Sequence, residues 1–186
     1  IKNGLNFWKN NIPNESSCNI FEMGFGTGLN AILTYEHSIE NKLKINYQTI
    51  DSNPLAINEI KFLNYSKFFN NKNTEIIFDK LHAIPWNKIH LLDKNFNFLK
   101  INKKIQNFNF ATKYDIVYYD AFGSRVQPEL WKEEIIKPMV KSLNSYGVFV
   151  TYSSKGDLRR TLVNLGMTVE KIDGPIGKRE MIRAIK

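Results

Sequence analysis

The chain has a single cysteine, Cys18, in 186 residues. No disulfide can form within it, and a lone thiol suits a reducing cytoplasm. Its three histidines, His37, His82 and His90, lie far from any cysteine pair. No ligand spacing fits a metal, so no metal centre is expected. No apolar run approaches the ~20 residues of a bilayer span, and no signal-peptide pattern opens the chain, so no membrane partner is expected. Repeats and long flexible linkers are absent too, which leaves one α/β domain over residues 1–186. The first residue is Ile1 rather than Met, so an N-terminal segment is expected to be missing.

What is present is an ordinary globular composition, 42% hydrophobic and 24% charged, with a formal charge of +8. A basic balance favours an anionic partner, nucleic acid first, although a composition rich in Asn, Lys and Ile would produce the same excess. The charge is concentrated near the end. Residues 151–186 carry eight basic side chains against Asp157, Glu170, Asp173 and Glu180.

Apolar patterning alternates strand and helix, which argues for a mostly parallel sheet. The expected strands are Cys18–Met23, Lys44–Ile50, Phe96–Asn102, Tyr114–Tyr119, Gly147–Tyr152, Met167–Lys171 and Glu180–Ile185. Helices are expected over Leu29–Ile39, after Asn53 and Pro54 with Ala56, Ile60 and Leu63 on one face, and over Gly156–Leu165. Thr74–Leu92 reads as two short helices broken at Pro85, and Pro128–Asn144 as a helix interrupted at Pro138. In open α/β sheets, ligands bind beyond the carboxyl ends of the strands. The segments Gly24–Gly28, Asp51, Asp120–Gln127, Ser153–Lys155 and Gly174–Arg179 should converge there.

Glu22-Met23-Gly24-Phe25-Gly26-Thr27-Gly28-Leu29-Asn30 joins the first strand to its helix. Glycines let the backbone turn tightly and approach a ligand, and the N–H groups of the helix start then face it. A dinucleotide fingerprint asks for a small residue where Leu29 stands. An acid before G-x-G-x-G, as Glu22 is, suits a methyltransferase. Asp51 is placed to accept hydrogen bonds from two ribose hydroxyls, but an acid there serves a nicotinamide enzyme equally well. These residues leave three readings open: a methyltransferase, a nicotinamide enzyme, or a plain tight turn.

Tyr118-Tyr119-Asp120-Ala121-Phe122-Gly123 follows the fourth strand. Methyl transfer to an amine needs a free lone pair, and an alkylamine is mostly protonated at neutral pH. A carboxylate such as Asp120 can orient the amine and accept its proton. Phe122 can stack on a flat base. Asp120 as a turn residue and Phe122 as core packing are the structural alternatives.

The loop Phe21–Ala31, the segment Asp120–Trp131 (DAFGSRVQPELW) and the tail Thr151–Lys186, with Lys155-Gly156, Arg159-Arg160 and Gly177-Lys178-Arg179-Glu180-Met181, carry a resemblance. Together they resemble the methyltransferase domain of the bifunctional tRNA 5-methylaminomethyl-2-thiouridine biosynthesis proteins, in its stand-alone form. The resemblance spans nearly the whole chain. It implies a Rossmann-like class I S-adenosylmethionine-dependent methyltransferase, with a mostly parallel seven-stranded sheet and an antiparallel last strand. It further implies N-methylation of an aminomethyl group on tRNA wobble uridine, with a separate oxidoreductase or wobble-modification enzyme supplying the precursor. By motif, Glu22, Gly24, Phe25, Gly26, Thr27, Gly28 and Asp51 would hold S-adenosylmethionine, and Asp120 and Phe122 would serve the acceptor. Lys155, Arg159, Arg160, Lys178 and Arg179 would grip the tRNA backbone as a basic rim. Three features depart from the family: the shortened N-terminus, Gly123-Ser124 where Ala-Pro is usual, and Lys104 where an acid is common. Other amine acceptors, or a cofactor-binding module without turnover, are the rival functions.

Overall fold

The computed structural model describes residues 1–65, 69 and 72–186. One eight-stranded sheet organises the chain in the order β3-β4-β2-β1-β5-β6-β8-β7. Its strands are β1 (Ser17–Met23), β2 (Lys44–Asp51), β3 (Ile89–Asp93), β4 (Phe96–Asn102), β5 (Tyr114–Tyr119), β6 (Leu143–Thr151), β7 (Thr168–Asp173) and β8 (Glu180–Ile185). Pairing is parallel from β4 through β2, β1 and β5 to β6, while β8 runs antiparallel to both β6 and β7 and β3 runs antiparallel to β4. The helices are α1 (Phe7–Asn11), α2 (Leu29–Glu40), α3 (Ile57–Ile60), α4 (Lys72–Ala83), α5 (Glu133–Ser142) and α6 (Gly156–Asn164).

The sheet has one strand more than the seven expected. The span 74–92 is a single helix that stops before Pro85, followed by β3, where a second helix was expected. β3 lies on the sheet edge and leaves Ile89 and Leu91 exposed, so its apolar residues do not follow the buried pattern of an inner strand. Pro138 does not interrupt α5. The helix runs through it, held by the buried Ile135, Ile136, Met139 and Val140, and the chain breaks earlier, at the extended Lys132. α3 begins at Ile57 rather than after Pro54. Its first turn is closed by Glu59, whose carboxylate accepts from the Ala56 N–H at 2.7 Å, so Asn53 is not its cap.

Strand side chains alternate between the two faces, and each face has its own core. Cys18 and Ile20 of β1 pack with Ala31, Ile32 and Tyr35 of α2 and with Phe78 and Leu81 of α4. Phe21 and Met23 face the other way, with Ile136 and Met139 of α5 and Leu158 and Leu162 of α6. The parallel strands end level. Met23 stands opposite Ile50 and Tyr119, and Tyr119 opposite Thr151, so four chain exits open on one edge.

Candidate active site

The glycine loop leaves β1 at this edge. Gly24 adopts φ +91°, and a Cβ there would lie 2.8 Å from the Asp120 carbonyl oxygen. Only a glycine lets the loop pass this close to the exit of β5. The Gly24 N–H donates to the Ile50 carbonyl at 2.9 Å, and the Asp120 N–H to that of Met23 at 3.0 Å, so both exits are tied to the sheet. Gly26, at φ +50°, has nothing within 4 Å of where a Cβ would stand. Its N–H donates to Asp51 Oδ2 at 3.0 Å, and Asp51 Oδ1 accepts from the Asn53 N–H at 2.9 Å.

Beyond this loop lies a cavity of about 930 Å³. Gly24, Gly26 and Thr27, Asp51 and Asn53, Lys104–Asn107, and Ala121 and Phe122 line it. A second cavity of about 720 Å³ opens beside it, between the β5 and β6 exits and the β7–β8 turn. Tyr118, Thr151, Tyr152, Pro175, Ile176 and Arg183 are among its walls. Asn30 and Asp120 line both. The Asn30 amide donates to Asp120 Oδ2 at 2.9 Å. The Asp120 carboxyl reaches solvent through the cavities, but the protein around it raises its pKa by desolvation, and the Asn30 hydrogen bond draws it back.

Glu22 is fully buried and lines neither cavity. It stands opposite Thr49 on β2 and Tyr118 on β5. Burial pushes its pKa up to about 8, while Thr49, Asn30 and Tyr47 nearby oppose the shift and the Asp120 charge adds to it. Thr49, Asn30 and Tyr47 lie close to the Glu22 carboxyl, but among the described residues neither Glu22 oxygen, nor the hydroxyls of Tyr47, Thr49 and Tyr118, makes a hydrogen bond of ordinary geometry. Burial thus favours the neutral form of Glu22, in a polar nest beneath the loop.

The residues expected to hold the cofactor divide into two groups. Gly24, Gly26, Thr27 and Asp51 face the larger cavity. The Thr27 hydroxyl also pairs with the Tyr65 hydroxyl at 3.0 Å. Phe25 borders the cavity, but its ring is buried, with ring centroids 5.3 Å from His82 and 5.9 Å from Trp86 and Phe98. Gly28 is buried behind the loop and starts α2. Behind Phe25, the fully buried Lys100 donates to the His82 carbonyl at 2.9 Å and lies over the Trp86 ring at 4.9 Å. Phe122 is exposed and lines the cavity of the glycine loop rather than the second one, and its carbonyl accepts from Trp131 Nε1 at 2.8 Å.

The basic rim is scattered. Lys155, Arg159, Arg160, Lys178 and Arg179 are all exposed, and none lines either cavity. Arg160 is paired with Asp157 in the first turn of α6. The other four make no ion pair among the described residues. Sequence reading missed Asn30, Tyr152 and Gln106. Asn30 had a usable signal, a short polar side chain in the first turn of a helix that starts at a glycine loop. Tyr152 and Gln106 follow strands whose last residues carry no motif. Among the described residues, no group of three or more His, Cys, Asp or Glu is placed to hold a metal ion, and no helix is long and apolar enough to cross a membrane.

Residues 72–186 match the model of a family described as S-adenosyl-L-methionine-dependent methyltransferase. The chain is 28% identical over 179 residues to the tRNA 5-methylaminomethyl-2-thiouridine biosynthesis bifunctional protein MnmC of Hydrogenovibrio crunogenus, covering 91% of this chain and 26% of that protein. It is 31% identical to the protein of the same name from Campylobacter hominis, over 89% of this chain and 25% of the relative. The chain thus spans about a quarter of the length of these relatives. Among solved structures, MNMC2 from Aquifex aeolicus superposes with a TM-score of 0.73 at 23% identity, covering 97% of this chain and 55% of that one. The N-methyltransferase NodS from Bradyrhizobium japonicum superposes with a TM-score of 0.55 at 14% identity, over 97% of this chain and 91% of that one.

Proposed function

The chain belongs to the S-adenosyl-L-methionine-dependent methyltransferases, and from that premise we propose that it methylates the nitrogen of a 5-aminomethyl group on the wobble uridine of tRNA. The observation that carries this reading is the junction at Asp120, where a cavity bordered by the glycine loop meets a second cavity. The curated relatives named for tRNA 5-methylaminomethyl-2-thiouridine biosynthesis supply the acceptor. A cytoplasmic setting and a separate enzyme that prepares the aminomethyl precursor belong to the same proposal.

The larger cavity fits the cofactor chemically. At Gly26, where a Cβ would meet nothing within 4 Å, the backbone is open to a ligand. Asp51 offers a carboxylate held by two backbone N–H groups, as a ribose diol requires. Gly24, Gly26, Thr27 and Asp51 would hold the cofactor, Phe25 and Gly28 would shape the loop from behind, and Glu22 would support it from beneath. When bound, S-adenosylmethionine supplies an electrophilic methyl group on a sulfonium.

The acceptor amine enters the second cavity mostly protonated. Asp120 takes one proton from the ammonium and frees the lone pair that attacks the methyl carbon. That nitrogen would take the methyl group from the bound cofactor, which leaves as the thioether, and the product would be the secondary ammonium carrying one added methyl. Holding both partners in adjoining pockets converts the encounter into a local step. Tyr152 lines the second cavity near Asp120, and partial desolvation and the Asp120 charge raise its phenol pKa further, leaving its hydroxyl as a donor. Phe122 offers an exposed ring at the lip, and the cations Lys155, Arg159, Lys178 and Arg179 contact phosphates. Methyl transfer from labelled S-adenosylmethionine to undermodified tRNA, compared with protein and polyamine amines, tests the acceptor. Label in tRNA alone supports the proposal, and label only in another amine refutes it.

A further inference from the structure

We infer that Asn30 is the positioning residue that fixes Asp120 at the junction of the two cavities. The inference rests on the reading of Asp120 as the acceptor-side carboxylate. Asn30 is the second residue of α2, just after the glycine loop. The next two residues, Ala31 and Ile32, are fully buried, so the amide is delivered by an anchored helix turn. Asp120 is the first residue after β5 and sits on a loop. The amide donates to Oδ2 at 2.9 Å, and Oδ1 makes no hydrogen bond among the described residues. That arrangement leaves one oxygen for the acceptor nitrogen and stops the carboxylate from swinging away.

The residue type matters. A lysine or arginine here would depress the Asp120 pKa by about 1–3 units and weaken it as a proton acceptor. A neutral amide keeps the carboxylate ionised against burial with a smaller loss of basicity. Asn30 also stands beside Glu22, whose charge, if formed, would raise the Asp120 pKa further. Other groups face Asp120 as well: Glu22 from β1, Tyr47 from β2 and Tyr152 after β6. Lys2, Lys171, Asp173 and Arg183 stand around the acceptor cavity. Replacing Asn30 leaves all of these in place.

The test uses protein labelled with 13C at the aspartate side-chain carboxyl, with Asp120 assigned from the resonance lost in Asp120→Asn. Asn30→Ala should raise the Asp120 titration midpoint by about one pH unit, the worth of one hydrogen bond to a charged group. Asn30→Asp, nearly the same shape without the donor, should raise it further. The acidic limb of kcat/KM for undermodified tRNA should move with the midpoint. A midpoint unchanged in both variants overturns the inference, even if tRNA is methylated. A shifted midpoint in a protein that methylates no tRNA supports the contact and overturns the tRNA proposal instead.

Discussion

The two cavities that meet at Asp120 have different linings. On the side proposed for the cofactor, the lining includes one short glycine-bearing run, Met23–Thr27, with the ends of β2, β4 and β5 beside it. On the side proposed for the acceptor, larger side chains from segments far apart in sequence take part, among them Asn30, Tyr118, Tyr152, Ile176 and Arg183. A glycine loop held at positive φ tolerates almost no added side chain. A side-chain wall can change its selectivity while the fold stays intact. The comparison therefore predicts loss of binding from substitutions on one side and loss of turnover from substitutions on the other.

The largest effect should come from the loop. In Gly24→Val, the new side chain meets the Asp120 carbonyl at 2.8 Å on a backbone of φ +91°. It should lower stability by about 1–3 kcal/mol and abolish S-adenosylhomocysteine binding. Gly26→Val has open space around it but a backbone at φ +50°, which strains any L side chain, so it should be destabilised less than Gly24→Val, which adds a clash, and should still fail to bind. Thermal unfolding with calorimetric titration separates them. If Gly26→Val binds normally, the larger cavity is not the cofactor site.

Next in size is Asp120→Asn, on the acceptor side of the comparison. Turnover should fall about 10²–10⁴-fold, as for loss of a general base, with cofactor affinity kept. The deficit should shrink at higher pH, where more amine is already neutral. Full activity at neutral pH would reduce Asp120 to a loop-shaping residue.

The contrast in lining also explains what could be read from the sequence. Gly24, Gly26 and Asp51 were legible because a tight glycine loop is written as alternating glycines after a strand, with an acid at the end of the next strand. Asp120 was legible because it ends a run of aromatic strand residues. Tyr152 and Gln106 were not, since only the sheet order brings them to the cavities; Asn30 had a local signal, its place in the first helix turn after the glycine loop, that no motif marks. Phe25, expected by motif to hold the cofactor, borders the larger cavity while its ring packs on His82, Trp86 and Phe98. β3 was missed because an edge strand lacks the buried run that marks inner strands.

A subtler test lies beneath the loop. Folded Glu22 keeps its proton up to about pH 8, while in the unfolded chain the group titrates near 4.5. The folded state holds more protons in that window, so wild-type stability should fall as pH rises through it. Glu22→Gln mimics the neutral acid and should flatten this fall, with a higher melting temperature than wild type at pH 8. Parallel curves for the two proteins would mean that Glu22 is ionised in the fold.

The smallest effect belongs to the rim, which contributes to neither cavity wall. Lys155→Ala and Lys178→Ala should weaken tRNA binding and flatten its dependence on log salt by up to about one unit each. Arg160→Ala should do less, because Arg160 is already paired with Asp157. Slopes equal to wild type in all three would place the tRNA on another surface.

The central claim is that the two cavities together carry one methyl group to a wobble aminomethyl nitrogen. Nucleoside mass spectrometry of undermodified tRNA, before and after incubation with the protein and S-adenosylmethionine, tests it most directly. The account predicts that the 5-aminomethyl nucleoside disappears and its singly methylated product, 5-methylaminomethyluridine or its 2-thio form, takes its place. An unchanged nucleoside profile, with the protein folded and binding S-adenosylhomocysteine, would contradict it.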